Sequence, residues 1–225
     1  MNKVFLFVSI LFVSLAANSQ VEVGIFAGPQ ATTSRYYVFN QKQKSEYKFG
    51  AMAGVNLKVP FDKNLFFAPA VFYSMKGYKV VFKDFAYPPD TAAKDNNTTI
   101  NTVELAALLQ YDLGKDPSHA FIKFGPSLDF HLFGKEKFNL KNGTAVDRSM
   151  KFSFDGDYGH FSANLLFQLG YETGSGFFVF GQFTHGLAST SNAEYGPRIY
   201  HRAFGVSLGK YLNRKKIVID TRNKE

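Results

Sequence analysis

Five histidines, a scatter of serines and a few acidic residues are the groups from which a catalytic site would have to be built, and their spacing assembles none. His119, His131, His160, His185 and His201 include no His-Glu-x-x-His pair, which would set two imidazoles one helical turn apart around a zinc ion. Ser127 and Ser162 have the same strand phase as His160, but no Gly-x-Ser-x-Gly elbow presents a nucleophile. Hydrolase chemistry needs nucleophile, base and orienting acid together. Asp155-Gly156-Asp157 lacks calcium-loop spacing and reads as a solvated turn. With no Cys, the chain has no disulfides, thiolate metal sites, thiol nucleophile or lipidated N-terminal cysteine. The expectation is a protein that is not an enzyme and carries no cofactor or metal.

The charged residues say more. Strand phase places Glu22, Lys48, Lys58, Lys76, Glu104, Lys123, Asp129 and Glu172 on one face, together with Gly and Ser. If that face is enclosed, opposite charges there must pair or keep water, because an isolated buried charge costs too much. Glu104 with Lys76 or Lys123 is the first pairing to expect, since these residues sit on adjacent strands. Phe178 and Phe180 share the inward phase and would obstruct the interior further. The expected charge network is therefore structural, and the interior plugged.

The elements that would position these residues are eight stretches of strand pattern: 21–28, 46–59, 65–82, 100–112, 120–133, 158–172, 177–187 and 199–212. In the fifth, Ile122, Phe124, Leu128, Phe130 and Leu132 oppose Lys123, Gly125, Ser127, Asp129 and His131. In the eighth, Phe204, Val206 and Leu208 oppose Ala203, Gly205, Ser207 and Gly209. Several stretches exceed the roughly 5–6 residues of a soluble strand and suit the roughly 9–11 that cross a bilayer at a tilt. Alternation alone fits a sandwich as well as a membrane barrel, in which the bulky face meets lipid and the small, polar face lines the lumen. The connections discriminate. Long links at 29–45, 83–99, 134–157 and 188–198 alternate with short ones at 60–64, 113–119 and 173–176, as in an up-and-down barrel with turns on one side and loops on the other. The fold class expected is all-β, an eight-stranded antiparallel up-and-down transmembrane β-barrel.

The first residues assign the compartment. Met1-Asn2-Lys3 is a basic start, Val4 to Leu15 an apolar run and Ala16-Ala17-Asn18-Ser19 a small-residue exit, which together make a secretory leader too short for a membrane helix. The organisation expected is a signal peptide at 1–19, an outer-membrane barrel at 20–212 and a basic periplasmic tail at 213–225. The formal charge of +8 and clusters such as Lys42, Lys44 and Lys48 come with no recognition-helix pattern, so nucleic acid is not an expected partner.

Pro69-Ala70-Val71-Phe72-Tyr73-Ser74-Met75-Lys76-Gly77 and Val103 to Tyr111 resemble the third and fourth strands of a known group. Gly125-Pro126-Ser127-Leu128-Asp129-Phe130 and Arg202 to Tyr211 match further along. The group is the small outer-membrane β-barrel family common in the Bacteroidetes (porin-family, or outer membrane protein beta-barrel domain), distantly similar to the eight-stranded OmpA and OmpX type. The resemblance spans nearly all of the mature chain. It implies fold and location and carries over no catalytic residue. One departure is that Tyr211-Leu212 is followed by Asn213 to Glu225, where many such barrels end on a terminal aromatic.

The expected function is an envelope-structural or surface-interaction barrel with a largely plugged lumen. A narrow porin-like channel and a secreted soluble ligand-binding barrel are the alternatives. Expected partners are outer-membrane lipid and the barrel assembly machinery, with long loops extracellular and both mature termini periplasmic. Tyr36, Tyr37, Phe85, Tyr87 and Tyr195 are candidate loop or rim contacts, although aromatics at barrel rims also anchor in the interfacial girdle.

Overall fold

Where Phe, Leu and Val alternate with Gly, Ser and charged residues, the backbone is extended and the bulky side chains share one face. A computed structural model describes residues 21–83, 86–154 and 156–214. The leader expected at 1–19, Phe85, Asp155 and everything beyond Arg214 lie outside the described residues.

The described residues form thirteen strands in one sheet: β1 (Glu22–Val38), β2 (Gln41–Lys42), β3 (Lys44–Glu46), β4 (Lys48–Asp62), β5 (Leu65–Phe67), β6 (Ala70–Val81) and β7 (Asp95–Ala106), followed by β8 (Leu109–Asp112), β9 (His119–Asn139), β10 (Ala145–Met150), β11 (Phe161–Glu172), β12 (Phe177–Gly186) and β13 (Arg198–Tyr211). Pairing between strands is antiparallel. It passes from β1 to β4, β6, β7, β9, β11, β12 and β13, and β13 pairs back onto β1. β5 prolongs β6 and pairs with β4, while β8 prolongs β7 along β9. The break between β7 and β8 has a local cause: Ala107 donates its N–H to the Pro126 carbonyl, and proline has no N–H to return the bond.

Three strands outrun their sequence pattern. β1 continues to Val38 where 21–28 was expected. Pro29 there is exposed on the outer face, and Gly28 lets β13 close in, since a Cβ at Gly28 would stand 1.9 Å from the Val206 carbonyl oxygen. β7 begins at Asp95, five residues before the expected Ile100. β9 reaches Asn139, and its hairpin to β10 turns on Gly143 at φ +91°, so the link expected at 134–157 is partly sheet.

A bulge changes which residues of β9 face inward. Asn101 pairs with Phe133 and Thr102 with His131, leaving Leu132 extra. Leu132 and Phe133 are both exposed, and beyond them Gly134, Glu136 and Phe138 take the inner face.

Candidate functional site

The outer face of the sheet is an apolar belt. On β9 the exposed side chains run Phe124, Leu128, Phe130 and Leu132, and on β13 Phe204, Val206 and Leu208, the last 69% exposed. Lys135 and Lys137 end the run on β9. The ten steps from Ile122 to Leu132 at about 3.3 Å each, inclined at about 40°, project to roughly 25 Å, the height of the lipid-facing band of outer-membrane barrels. A continuous exposed band of this kind is foreign to a soluble surface.

The inner face is filled in layers. At the end bearing the short turns, Lys58 Nζ lies 2.7 Å from Asp112 Oδ2 and 2.5 Å from Glu172 Oε1. Arg214 Nη2 is 2.9 Å from Glu172 Oε1, and the same guanidinium grips both oxygens of Glu22. Next comes an apolar layer that includes Phe26, Phe72, Leu108, Phe121, Leu166, Phe178 and Phe180. Above it, Lys76 Nζ sits 2.8 Å from Glu104 Oε2 and 2.7 and 2.8 Å from the two oxygens of Asp129. Ser127 donates to Glu104, while Ser162 and Asn164 donate to Asp129. At the long-loop end a second apolar cluster holds Tyr36, Val38, Tyr78, Val80, Ile100, Tyr158 and Ile199. Tyr158 donates to Glu136 Oε2 at 2.7 Å, and burial raises its phenol well above the usual range. Arg148 Nε pairs with Glu136 Oε1 at 2.6 Å and its Nη2 donates to the Pro89 carbonyl, lashing the 82–94 loop over this end.

The residues singled out from sequence divide by what they meet. Lys76, Glu104 and Asp129 come together, as do Lys58 and Glu172; Glu22 meets Arg214. Glu104 pairs with Lys76, whereas Lys123, 2% exposed, is in no ion pair among the described residues and lies over the rings of Phe121 and Phe178 at 4.9 and 5.9 Å. Among the described residues Lys48 meets no carboxylate; it donates to Asn97, Thr98 and Thr99. Tyr36 must be corrected. Expected as a rim contact, it is fully buried, its hydroxyl donating to the Pro88 carbonyl, because β1 carries its inward phase ten residues past Gly28. Tyr37 lies under the Arg198 guanidinium. Tyr87 and Tyr195 are exposed, Tyr195 to 90%, and the Tyr87 hydroxyl donates to Asp157.

Four participants were missed. Asp112 shares the even-numbered phase of Glu104 and was legible; Glu136 was hidden by the bulge, and Arg148 and Arg214 were read as loop and tail. His119, Asp112 and Glu172 bring three potential ligand atoms within 4.8 Å of one another, the one such group among the described residues.

Residues 16–192 match the outer membrane protein beta-barrel domain family. The chain belongs to that family. Among solved structures, this family member is similar to Ail, the attachment invasion locus protein of Yersinia pestis, at 12% identity over 84% of this chain and 97% of that one, TM-score 0.40. It is also similar to Neisserial surface protein A, at 8% identity over 83% and 96%, TM-score 0.42. A third is the N-terminal beta-barrel domain of Pseudomonas aeruginosa OprF, at 13% identity over 85% and 99%, TM-score 0.31. No curated protein matches.

Proposed function

We propose that the thirteen strands act as eight staves of a closed up-and-down barrel in the outer membrane, and that its role is envelope-structural or surface-interacting. The circuit of pairings from β1 back to β1 supports closure, and the roughly 25 Å apolar belt supports lipid contact. On this reading residues 1–19 are a leader, the short turns and both mature termini are periplasmic and the long loops extracellular. Membrane lipid and the barrel assembly machinery are then the obligatory partners. The barrel extends past 212, because Asn213 bonds to Val21 and Val23 and Arg214 to Glu22.

The observation that carries a non-conducting role is the stack inside: two apolar layers enclosing the Lys76–Glu104–Asp129 triad, with no side chain of that triad more than 1% exposed. A wet pore needs a continuous polar path, and aromatic rings interrupt it at both ends. Purified protein that shows the gel-mobility change of a folded barrel should give no discrete conductance in planar bilayers. Steady ion conductance that responds to Lys123→Gln or Glu104→Gln would establish the channel reading instead.

A further inference from the structure

We infer that the short-turn end carries a site for a first-row divalent metal ion of the zinc type, made by His119, Asp112 and Glu172. The three come from different elements: the end of β8, the start of β9 and the end of β11. His119 Nε2 lies 2.9 Å from Asp112 Oδ2 and 3.0 Å from Glu172 Oε1.

The tautomer follows from the other ring nitrogen. Nδ1 is 2.7 Å from the Asp116 carbonyl oxygen, which only accepts, so Nδ1 carries the hydrogen. Nε2, the nitrogen not engaged by the Asp116 carbonyl, faces the two carboxylate oxygens. Nε2 is buried and neither contact has hydrogen-bond geometry. The Lys58 ammonium sits on these two oxygens, and a metal ion in its place would bond Nε2 as well. Ligand atoms around a tetrahedral ion with bonds of about 2.0–2.2 Å stand roughly 3.3–3.6 Å apart; here the two nitrogen–oxygen spacings are 2.9 and 3.0 Å and all three ligand atoms lie within 4.8 Å of one another.

The supporting contacts are those a metal site needs. A carbonyl orients the histidine through Nδ1, and Gln110 Nε2 donates to Asp112 Oδ1 at 2.6 Å, holding the other carboxylate oxygen. An imidazole beside two carboxylates selects zinc-like ions over calcium or magnesium, which prefer all-oxygen shells. Three protein ligands leave a coordination position for water.

Lys58 is the competitor, its ammonium resting on the same two oxygens. In that same position its Nζ lies over the Phe66 ring, 4.3 Å from the centroid, so an entering ion must displace it from carboxylates and ring together. Binding is then conditional on metal concentration, and removing the lysine should strengthen it.

The test is equilibrium dialysis of the full-length folded protein in detergent against Zn2+, with bound metal counted per chain and folding checked by unboiled gel mobility. One saturable equivalent is expected, weakened at least tenfold by His119→Ala, unchanged by His185→Ala and tightened by Lys58→Met. No saturable equivalent, or one that survives His119→Ala intact, overturns the assignment, as does equal loss with His185→Ala. If Lys58→Met does not fold, the two histidine variants decide the matter. Barrel closure is read separately by the mobility shift and membrane location by outer-membrane fractionation, so failure of this site leaves the proposed function standing.

Discussion

Replacing Lys76 by Met removes the cation that lies between two carboxylates that are themselves 0% exposed. Glu104 and Asp129 then face each other with no counter-charge, and breaking a buried pair in this way costs about 3–5 kcal/mol. At about 1.4 kcal/mol per tenfold change, the folding equilibrium should fall by roughly two to four orders of magnitude. Glu104→Gln alone should cost much less, because Asp129 still holds the ammonium through both oxygens at 2.7 and 2.8 Å. The triple variant Lys76→Met, Glu104→Gln, Asp129→Asn removes every charge while keeping acceptors for Ser127, Ser162 and Asn164, and should recover most of the loss. Urea unfolding in detergent, followed by far-UV dichroism and unboiled gel mobility, reads all three; the chain has no Trp to report by fluorescence. Equal damage from the single Lys76 variant and the triple would refute the argument, since the loss could not then be that of stranded charge.

Other outcomes follow from the same structure. Leu128, exposed near the middle of the belt, should lose about 2–4 kcal/mol on replacement by Arg, measured by urea unfolding in lipid vesicles; an unchanged midpoint would place that face in water. Tyr36→Ala should cost about 3–5 kcal/mol, as for other large buried aromatics, whereas Tyr195→Ala should leave the unfolding midpoint within about 0.5 kcal/mol. Arg214→Ala, which removes the guanidinium that Glu22 and Glu172 share, should destabilise by about 1–3 kcal/mol; no change by thermal gel-shift would return residue 214 to a passive tail.

The period-two pattern was legible wherever a strand kept its phase. The inward row of β9 from Lys123 to His131 follows from alternation alone, and with it Lys76, Glu104 and Asp129 fall on the inner face. Legibility failed where phase broke or a strand ran on. Glu136 is inside only because Leu132 and Phe133 share a bulge. Tyr36 is inside because Gly28 and Pro29, turn-forming residues in isolation, are accommodated within β1. His119 ends the short link expected at 113–119, and nothing along the chain shows that β8 and β11 bring Asp112 and Glu172 to its ring.

The sequence by itself determined the class of object: alternation, strand length and the rhythm of short and long links depend on neighbours along the chain, and each survives without knowledge of the fold. Which inward charge meets which was decided only by the tertiary structure. Partners on non-adjacent strands, such as Lys58 with Glu172 or Lys76 with Asp129, are set by strand register and by curvature that turns one face of the sheet upon itself. A one-residue slip in that register would reassign the contacts while leaving much of the sequence pattern unchanged.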